Sequence, residues 1–235
     1  ALRAARGGFV AFLDADDAWA PRKLEVQLAC MARNPELVLL GTETFAWPAA
    51  ETPRCDGARI ELRDVGRDDL AVRNYLTTSS VLVRSSAIAR AGAFDIELRG
   101  PEDHDYWLRL AECGSVAIAR APLTGYRVVP GSLSRRAQSM EAGMRRILAK
   151  LDARDFWRGR ALLRRRAYSY VSCSAAQLYG AAGDQQAAMR RLLGSMVWYP
   201  LPYTRAEAGV AMVRPKRLAV ALLRMIGLKR PDPGC

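Results

Sequence analysis

Apolar and polar positions along the first part of the chain switch repeatedly between strand-length runs and helical spacing. Residues 9–13 form an apolar run that suits a buried strand, and it runs straight into Asp14, Asp16 and Asp17. Pro21 suits a helix start, with Leu24, Leu28 and Met31 on one face and Asn34-Pro35 as the stop. Leu37 to Leu40 reads as a second strand. Residues 48–69 dissolve into Pro, Gly, Asp, Glu and Arg, which predicts a surface loop, and a short helix over Leu70 to Leu76 closes it. Ser79 to Arg84 alternates like a strand, and a helix from Ser86 ends at Gly92. Pro101 sets up another helix with Glu102, Asp103 and Asp105 in its first turn, stopping near Gly114. Ser115 to Ala119 is strand-like, Pro122 turns the chain, and Tyr126 to Val129 is a last short strand.

Beyond Ser134 the strand signals fade and Ala, Leu and Arg dominate. The pattern predicts an α/β domain over residues 1–134 and a helical region over 135–235. Within that region, residues 167–200 read as a helical hairpin turning at Gly183-Asp184, and Val213 to Leu228 as a final helix.

Charge sharpens the division. Of 235 residues, 1–134 hold 16 Lys/Arg against 18 Asp/Glu, whereas 135–235 hold 20 against 6, so the net +12 belongs to the second part. An excess of this kind asks for an anionic partner. The arginines at 145, 146, 158, 160, 164, 165 and 166 lack the interleaved aromatics of a single-strand-binding platform, so no nucleic acid is expected. An anionic membrane surface is the favoured partner, because Leu218, Leu222 and Met225 stand beside Lys216, Arg217 and Arg224 in the final helix. A packed terminal helix with a solvated basic face is the competing reading. No run reaches the roughly 18 apolar residues of a membrane span. Cysteines at 30, 55, 113, 173 and 235 are odd in number and widely spaced without a CxxC, which fits reduced thiols in a cytoplasm.

Three carboxylates within four positions at a strand's carboxyl end repel one another and call for a cation. Mg²⁺ or Mn²⁺ suits a site built from one or two carboxylates beside an open crevice, where ligands of α/β sheets bind. A solvated acidic turn is the plainer alternative. A calcium-binding helix-loop-helix fails, because Ala18 occupies its third ligand position and Trp19 stands where its glycine is needed. The second acidic group, Glu102-Asp103, opens a helix. There it either complements the helix dipole or supplies a general base.

The strand with Asp14-Ala15-Asp16-Asp17-Ala18-Trp19-Ala20-Pro21-Arg22-Lys23-Leu24, then Phe94-Asp95, then Glu102-Asp103-His104-Asp105-Tyr106-Trp107-Leu108-Arg109, then Tyr126-Arg127 and Ser132-Leu133-Ser134, resembles the family 2 glycosyltransferases over residues 3–134. The resemblance implies a Rossmann-like GT-A sheet and inverting transfer of a sugar from a nucleotide-diphosphate donor to an acceptor hydroxyl. By resemblance Asp14 and Asp16 are the DxD pair that holds Mg²⁺ or Mn²⁺ against the donor pyrophosphate, and spacing leaves open whether Asp16 or Asp17 is the direct ligand. Asp103 matches the catalytic base, and Glu102 is expected to orient or contact the acceptor. The dipole of a helix start lowers the Asp103 pKa and burial raises it, so the sequence leaves its direction open. Arg127 or Arg109 is expected to reach phosphate or lock the site, with a structural ion pair favoured for Arg109. Trp107 and Tyr106 are candidate sugar-stacking residues, with core packing the favoured reading for Trp107. His104, the sole histidine, is expected to be a solvated or neighbour-tuned surface group.

Two departures from the family pattern stand out. Val128 or Val129 occupies the place of a histidine that many relatives use near the metal, and the base-binding strand and turn that open the family have no counterpart before Ala1. The chain therefore reads as a partial GT-A domain lacking the nucleoside-binding strands. The resemblance also implies a glycan or lipid-linked glycan acceptor in bacterial cell-surface polysaccharide or glycolipid synthesis, at the inner face of the plasma membrane. Two rival readings are kept. A non-catalytic GT-A-like binding module is one. The other is a haloacid dehalogenase-like phosphatase with Asp14 as nucleophile and Asp16 as acid/base, against which stand Ala18 and a lysine set limited to 23, 150, 216 and 229.

Overall fold

A computed structural model describes residues 2–49, 51–53, 60–128, 136–203 and 213–225, apart from the side chains of Arg3, Val213 and Arg224. Ser132-Leu133-Ser134 and Val129 lie outside the described residues. The chain is α/β and divides into two units, residues 1–96 with 102–130, and residues 97–101 with 131–235.

The first unit is built on a six-stranded mixed sheet. Its strands are β1 (Phe9–Ala11), β2 (Ala18–Trp19), β3 (Leu37–Trp47), β4 (Leu62–Asp64), β5 (Leu82–Arg84) and β6 (Ser115–Arg127). They run in the order β1-β5-β3-β6-β2, with β4 also paired to β6. Among the described residues, only the β3–β6 pair is parallel. Its helices are α1 (Lys23–Arg33), α2 (Arg67–Val72), α3 (Ser85–Ala91) and α4 (Glu102–Leu110). Met31 and Leu40 are buried in one cluster between α1 and the sheet, each contributing on the order of 1.5–3 kcal/mol of burial.

Several elements differ from the sequence reading, beginning with β1, which ends at Ala11 and is half-buried at the end of the sheet rather than a buried strand over residues 9–13. The predicted break at Pro122 is absent, and β6 runs unbroken from 115 to 127. Register shifts beside Glu43 absorb the proline, which cannot donate to the ladder. The predicted loop over residues 48–69 contains β4 and the start of α2, as far as its residues are described. Residues 78–80 form a 3-10 turn before β5 rather than more strand, because the Ser80 amide and hydroxyl both donate to the Thr77 carbonyl.

Helix α1 shows the largest change. Leu24 and Leu28 are 37% and 43% exposed, and the buried face carries Lys23, Val26, Gln27, Cys30 and Met31. Two polar residues can be buried on this face because each finds a hydrogen-bond partner. Lys23 Nζ donates to Gln27 Oε1 at 2.8 Å, and Gln27 Nε2 donates to the carbonyls of Leu40 at 2.7 Å and Ser80 at 2.9 Å.

The second unit contains α5 (Ala137–Ala153), α6 (Ala161–Ala181), α7 (Gln185–Trp198) and α8 (Val213–Met225). Helices α6 and α7 form the expected hairpin. Gly183 adopts φ 89° in the turn, and Asp184 caps α7 by accepting from the Ala187 amide at 2.8 Å. Cys173, Ala176, Leu192 and Tyr203 form its core, with Leu218 of α8 packed against them. Much of its arginine is internally engaged. Glu141, itself buried, pairs with Arg145 at 2.9 Å and Arg191 at 3.0 Å, Asp152 takes Arg164 at 2.8 Å, and Arg165 donates to the carbonyls of Trp198 and Val197. Buried Arg214 donates to the carbonyls of Ser195, Tyr199 and Leu201. The positive excess is therefore partly structural. No described helix is long and apolar enough to cross a membrane.

Candidate active site

The end of β1 and the start of α4 are brought together by an aromatic cluster. Phe12 meets Phe94 and Trp107 edge-on at 5.9 and 5.8 Å, and Phe94 lies 4.2 Å from Tyr106. Phe12 sits two residues before Asp14, and Trp107 sits one helical turn beyond Asp103, so packing of these rings holds both acidic groups in one region. Trp107 is fully buried in this cluster. Core packing, the favoured reading of Trp107, therefore holds, and its candidacy for sugar stacking is corrected, because its ring has no open face. His104 is corrected as well. It is buried with its Nε2 2.6 Å from the Leu70 carbonyl, and burial lowers its pKa, so it ties α4 to α2 as a neutral ring. Arg109 forms the structural ion pair expected of it, with Nε 3.0 Å from Asp105 Oδ2, and it also donates to the Ala91 and Ala93 carbonyls.

The acidic turn is shaped by partners far away in sequence. The Asp17 amide donates to the Asp14 carbonyl at 3.2 Å, closing the turn. The Asp14 amide donates to Ser79 Oγ at 3.0 Å, and Trp19 Nε1 donates to the Ser79 carbonyl at 2.7 Å. From the other side, Arg127 donates its amide to Asp17 Oδ1 at 2.9 Å and its Nε to the Asp16 carbonyl at 3.0 Å. Arg127 thus lies on the acidic turn as a staple. Tyr126-Arg127 belongs to β6, and β2, which follows the turn, pairs with β6, so the sheet itself sets this contact.

The charges of this turn are under strain. The Asp14 pKa is raised, first by desolvation and then by the negative charges of Asp17 and Asp16, with Glu102 adding to the same effect. Asp17 Oδ2 is buried without a hydrogen-bond partner. Among the described residues no group of three or more His, Cys, Asp and Glu side chains is arranged to hold a metal ion, so Asp14, Asp16 and Asp17 do not make a preformed cage. The unpartnered oxygen and the mutually repelling carboxylates do fit an ion that takes one or two protein carboxylates and fills its remaining positions with water and phosphate oxygens.

Asp103 carries the most distinctive environment. Its Oδ2 accepts from Asn74 Nδ2 at 3.1 Å and Thr78 Oγ1 at 3.2 Å, and its Oδ1 accepts from the His104 amide at 2.6 Å. Burial nevertheless outweighs these donors and lifts its pKa from 3.8 to about 6, with Glu102 contributing in the same direction. Burial thus prevails over helix-start geometry, the balance left open by the sequence. Glu102 is half-buried, and its charge acts on both Asp14 and Asp103.

Sequence reasoning missed Asn74, Thr78 and Ser79. The hydroxyl-rich run Thr77-Thr78-Ser79-Ser80 was a usable signal, since Ser and Thr before a strand favour side-chain-bonded turns over the ladder.

Comparison with known proteins agrees with this geometry. Residues 1–95 match the model of the family described as Glycosyl transferase family 2. The uncharacterized glycosyltransferase MJ1057 of Methanocaldococcus jannaschii is 26% identical over 115 residues, covering 46% of this chain and 38% of that protein. The crystal structure of S. aureus TarS superposes with a TM-score of 0.53 at 15% identity, covering 97% of this chain and 40% of that one, which is a likeness of fold. The chain thus spans about two fifths of the length of these relatives. The acidic turn after the half-buried strand β1 and the carboxylate-led helix α4 thus belong to a chain whose residues 1–95 are similar to glycosyl transferase family 2 and whose fold is similar to that of TarS.

Proposed function

We propose that this chain provides the metal-side and acceptor-side part of an inverting glycosyltransferase that moves a sugar from a nucleotide-diphosphate donor to an acceptor hydroxyl. The observation that carries the reading is Asp103, a carboxylate anchored through three hydrogen bonds, with a pKa of about 6, in the region of an acidic turn. A base of that pKa is mostly ionised at neutral pH yet remains basic enough to take a proton as the acceptor oxygen attacks. In a single displacement the acceptor oxygen bonds to the anomeric carbon while the bond to the diphosphate oxygen breaks. The acceptor's proton passes to Asp103, and the sugar inverts. Glu102 orients the acceptor, and Arg127 holds the acidic turn in place. Asp14, Asp16 and Asp17 would hold Mg²⁺ or Mn²⁺, which when bound neutralises charge on the departing diphosphate.

Calorimetric titration of a panel of nucleotide-diphosphate sugars with and without Mn²⁺ tests this, using this chain and its Asp16→Ala variant. Metal-dependent binding that Asp16→Ala abolishes is the expected result. Binding by neither protein would instead support a non-catalytic binding module.

The acceptor we propose is a glycan or lipid-linked glycan of the bacterial cell envelope, with the chain working in the cytoplasm against an anionic inner membrane surface. Support comes from the positive excess of residues 135–235 and from the exposed Lys216, Leu222 and Met225 of α8. Reversing the charges of Lys216, Arg217 and Arg224 together is expected to abolish cosedimentation with phosphatidylglycerol vesicles, since each basic residue near such a surface contributes about 1 kcal/mol. Unchanged cosedimentation would count against the membrane.

A further inference from the structure

The segment that joins α2 to β5 touches both acidic groups at once. Asn74 is pinned by its own backbone, its Oδ1 accepting from the Leu76 amide at 3.0 Å, so its Nδ2 is the end that faces Asp103. Thr78 adds its hydroxyl to the same carboxylate oxygen. The next residue, Ser79, accepts from the Asp14 amide and through its carbonyl from Trp19, and Ser80 accepts from Gln27. Ser79 and Ser80 are both 0% exposed, and the turn is closed by the hydrogen bonds of Ser80 to Thr77.

A carboxylate offers about two acceptor positions on each oxygen. On Asp103 both positions of Oδ2 are taken by Asn74 and Thr78, whereas Oδ1 takes the His104 amide. A proton arriving at Oδ1 leaves Oδ2 still accepting from both donors, so the carboxyl group need not rotate as it is protonated. Resting on the reading of Asp103 as the base, we propose that Asn74 and Thr78 are positioning residues that lock Asp103 through Oδ2 and make Oδ1 the proton-accepting atom. Ser79, in the same rigid turn, sets the acidic turn at a constant offset from it.

The charged neighbour acting on Asp103 is Glu102 on its own helix, which raises its pKa. The segment facing it presents neutral Asn74 and Thr78, which lower the pKa, and His104 is held neutral by burial. Loss of a donor therefore moves the titration upward.

The test is ¹³C NMR titration of the Asp103 carboxyl carbon in aspartate-labelled protein, assigned by Asp103→Asn, in the parent, Thr78→Val, Thr78→Ser and Asn74→Ala. Parental titration near 6 is expected to rise by about one pH unit in Thr78→Val and in Asn74→Ala. Thr78→Ser, which keeps the hydroxyl, should restore the parental value. In transfer assays kcat should fall in Thr78→Val with donor KM unchanged, and the acidic limb of its pH profile should move up by the same amount. An Asp103 titration that Thr78→Val leaves in place would overturn the proposal, as would a Thr78→Ser variant that behaves like Thr78→Val. The titration needs no substrate, so it stands apart from the glycosyltransferase reading: a shifted titration with no donor bound by any protein would sink that reading and leave the anchoring intact.

Discussion

Asp103→Asn is expected to slow sugar transfer by roughly 10²–10⁴-fold, the usual contribution of a positioned general base, with donor binding kept. The amide can still present an oxygen to Asn74 and Thr78, so the turn that also holds Asp14 stays in place. What disappears is the group that takes the proton. Initial rates of donor consumption against pH provide the check: the parent should lose activity as pH falls through about 6, and Asp103→Asn should show a low rate without that limb. A variant retaining parental rates would remove Asp103 from the chemistry.

The same substitution has a stability signature of known sign. The folded carboxyl is harder to ionise than the unfolded one, with pKa raised from 3.8 to about 6, so its favourable contribution is complete below 3.8 and is lost as pH rises through 6. Relative to Asp103→Asn, the parent should therefore lose stability across that window, by at most about 3 kcal/mol. Because Asp103 is half-buried by surface area, water screening places the measured value below that limit.

Lys23→Met is expected to change the pH dependence of stability even more. Lys23 is 1% exposed, its Nζ donates to the neutral Gln27 Oε1, and burial lowers its pKa from 10.5 to about 7. Folding therefore costs a proton or a buried charge. The penalty is fully present below about 7 and fades as pH rises toward 10.5, so parental stability should climb across that range. The separation of the two values corresponds to about 5 kcal/mol, from which the Trp19 ring, 4.4 Å from Nζ, returns part by cation–π attraction. Urea unfolding at successive pH values should show the parent gaining on Lys23→Met from neutral to alkaline conditions, with methionine the more stable near pH 7. Parallel curves would mean that Lys23 keeps its charge in a solvated or paired state.

Lys23 also marks where sequence reading turns into tertiary argument. Apolar spacing put Leu24 and Leu28 on the inner face of α1, and they lie outside. Periodicity treats Lys and Gln as surface residues, yet Gln27 reaches two main-chain carbonyls that only the folded sheet and the 78–80 turn bring to it. His104 was misjudged in the same way, since Leu70 accepts its hydrogen bond from a helix 34 residues away. The unbroken β6 likewise depended on a partner strand able to shift register at Pro122.

Local chemistry was enough for a short apolar strand ahead of Asp14, Asp16 and Asp17, for the carboxylates that open α4, for the helical hairpin at Gly183-Asp184 and for the concentration of positive charge after residue 134. These are contiguous patterns, and their energies come from neighbours a few positions away. Which oxygen of Asp103 is anchored, which way its pKa moves, and what holds the acidic turn were decided by Asn74, Thr78, Ser79 and Arg127. Those residues lie from 25 to 110 positions from the groups they bind, and desolvation depends on the whole surrounding shell, so only the assembled fold brings these forces to bear.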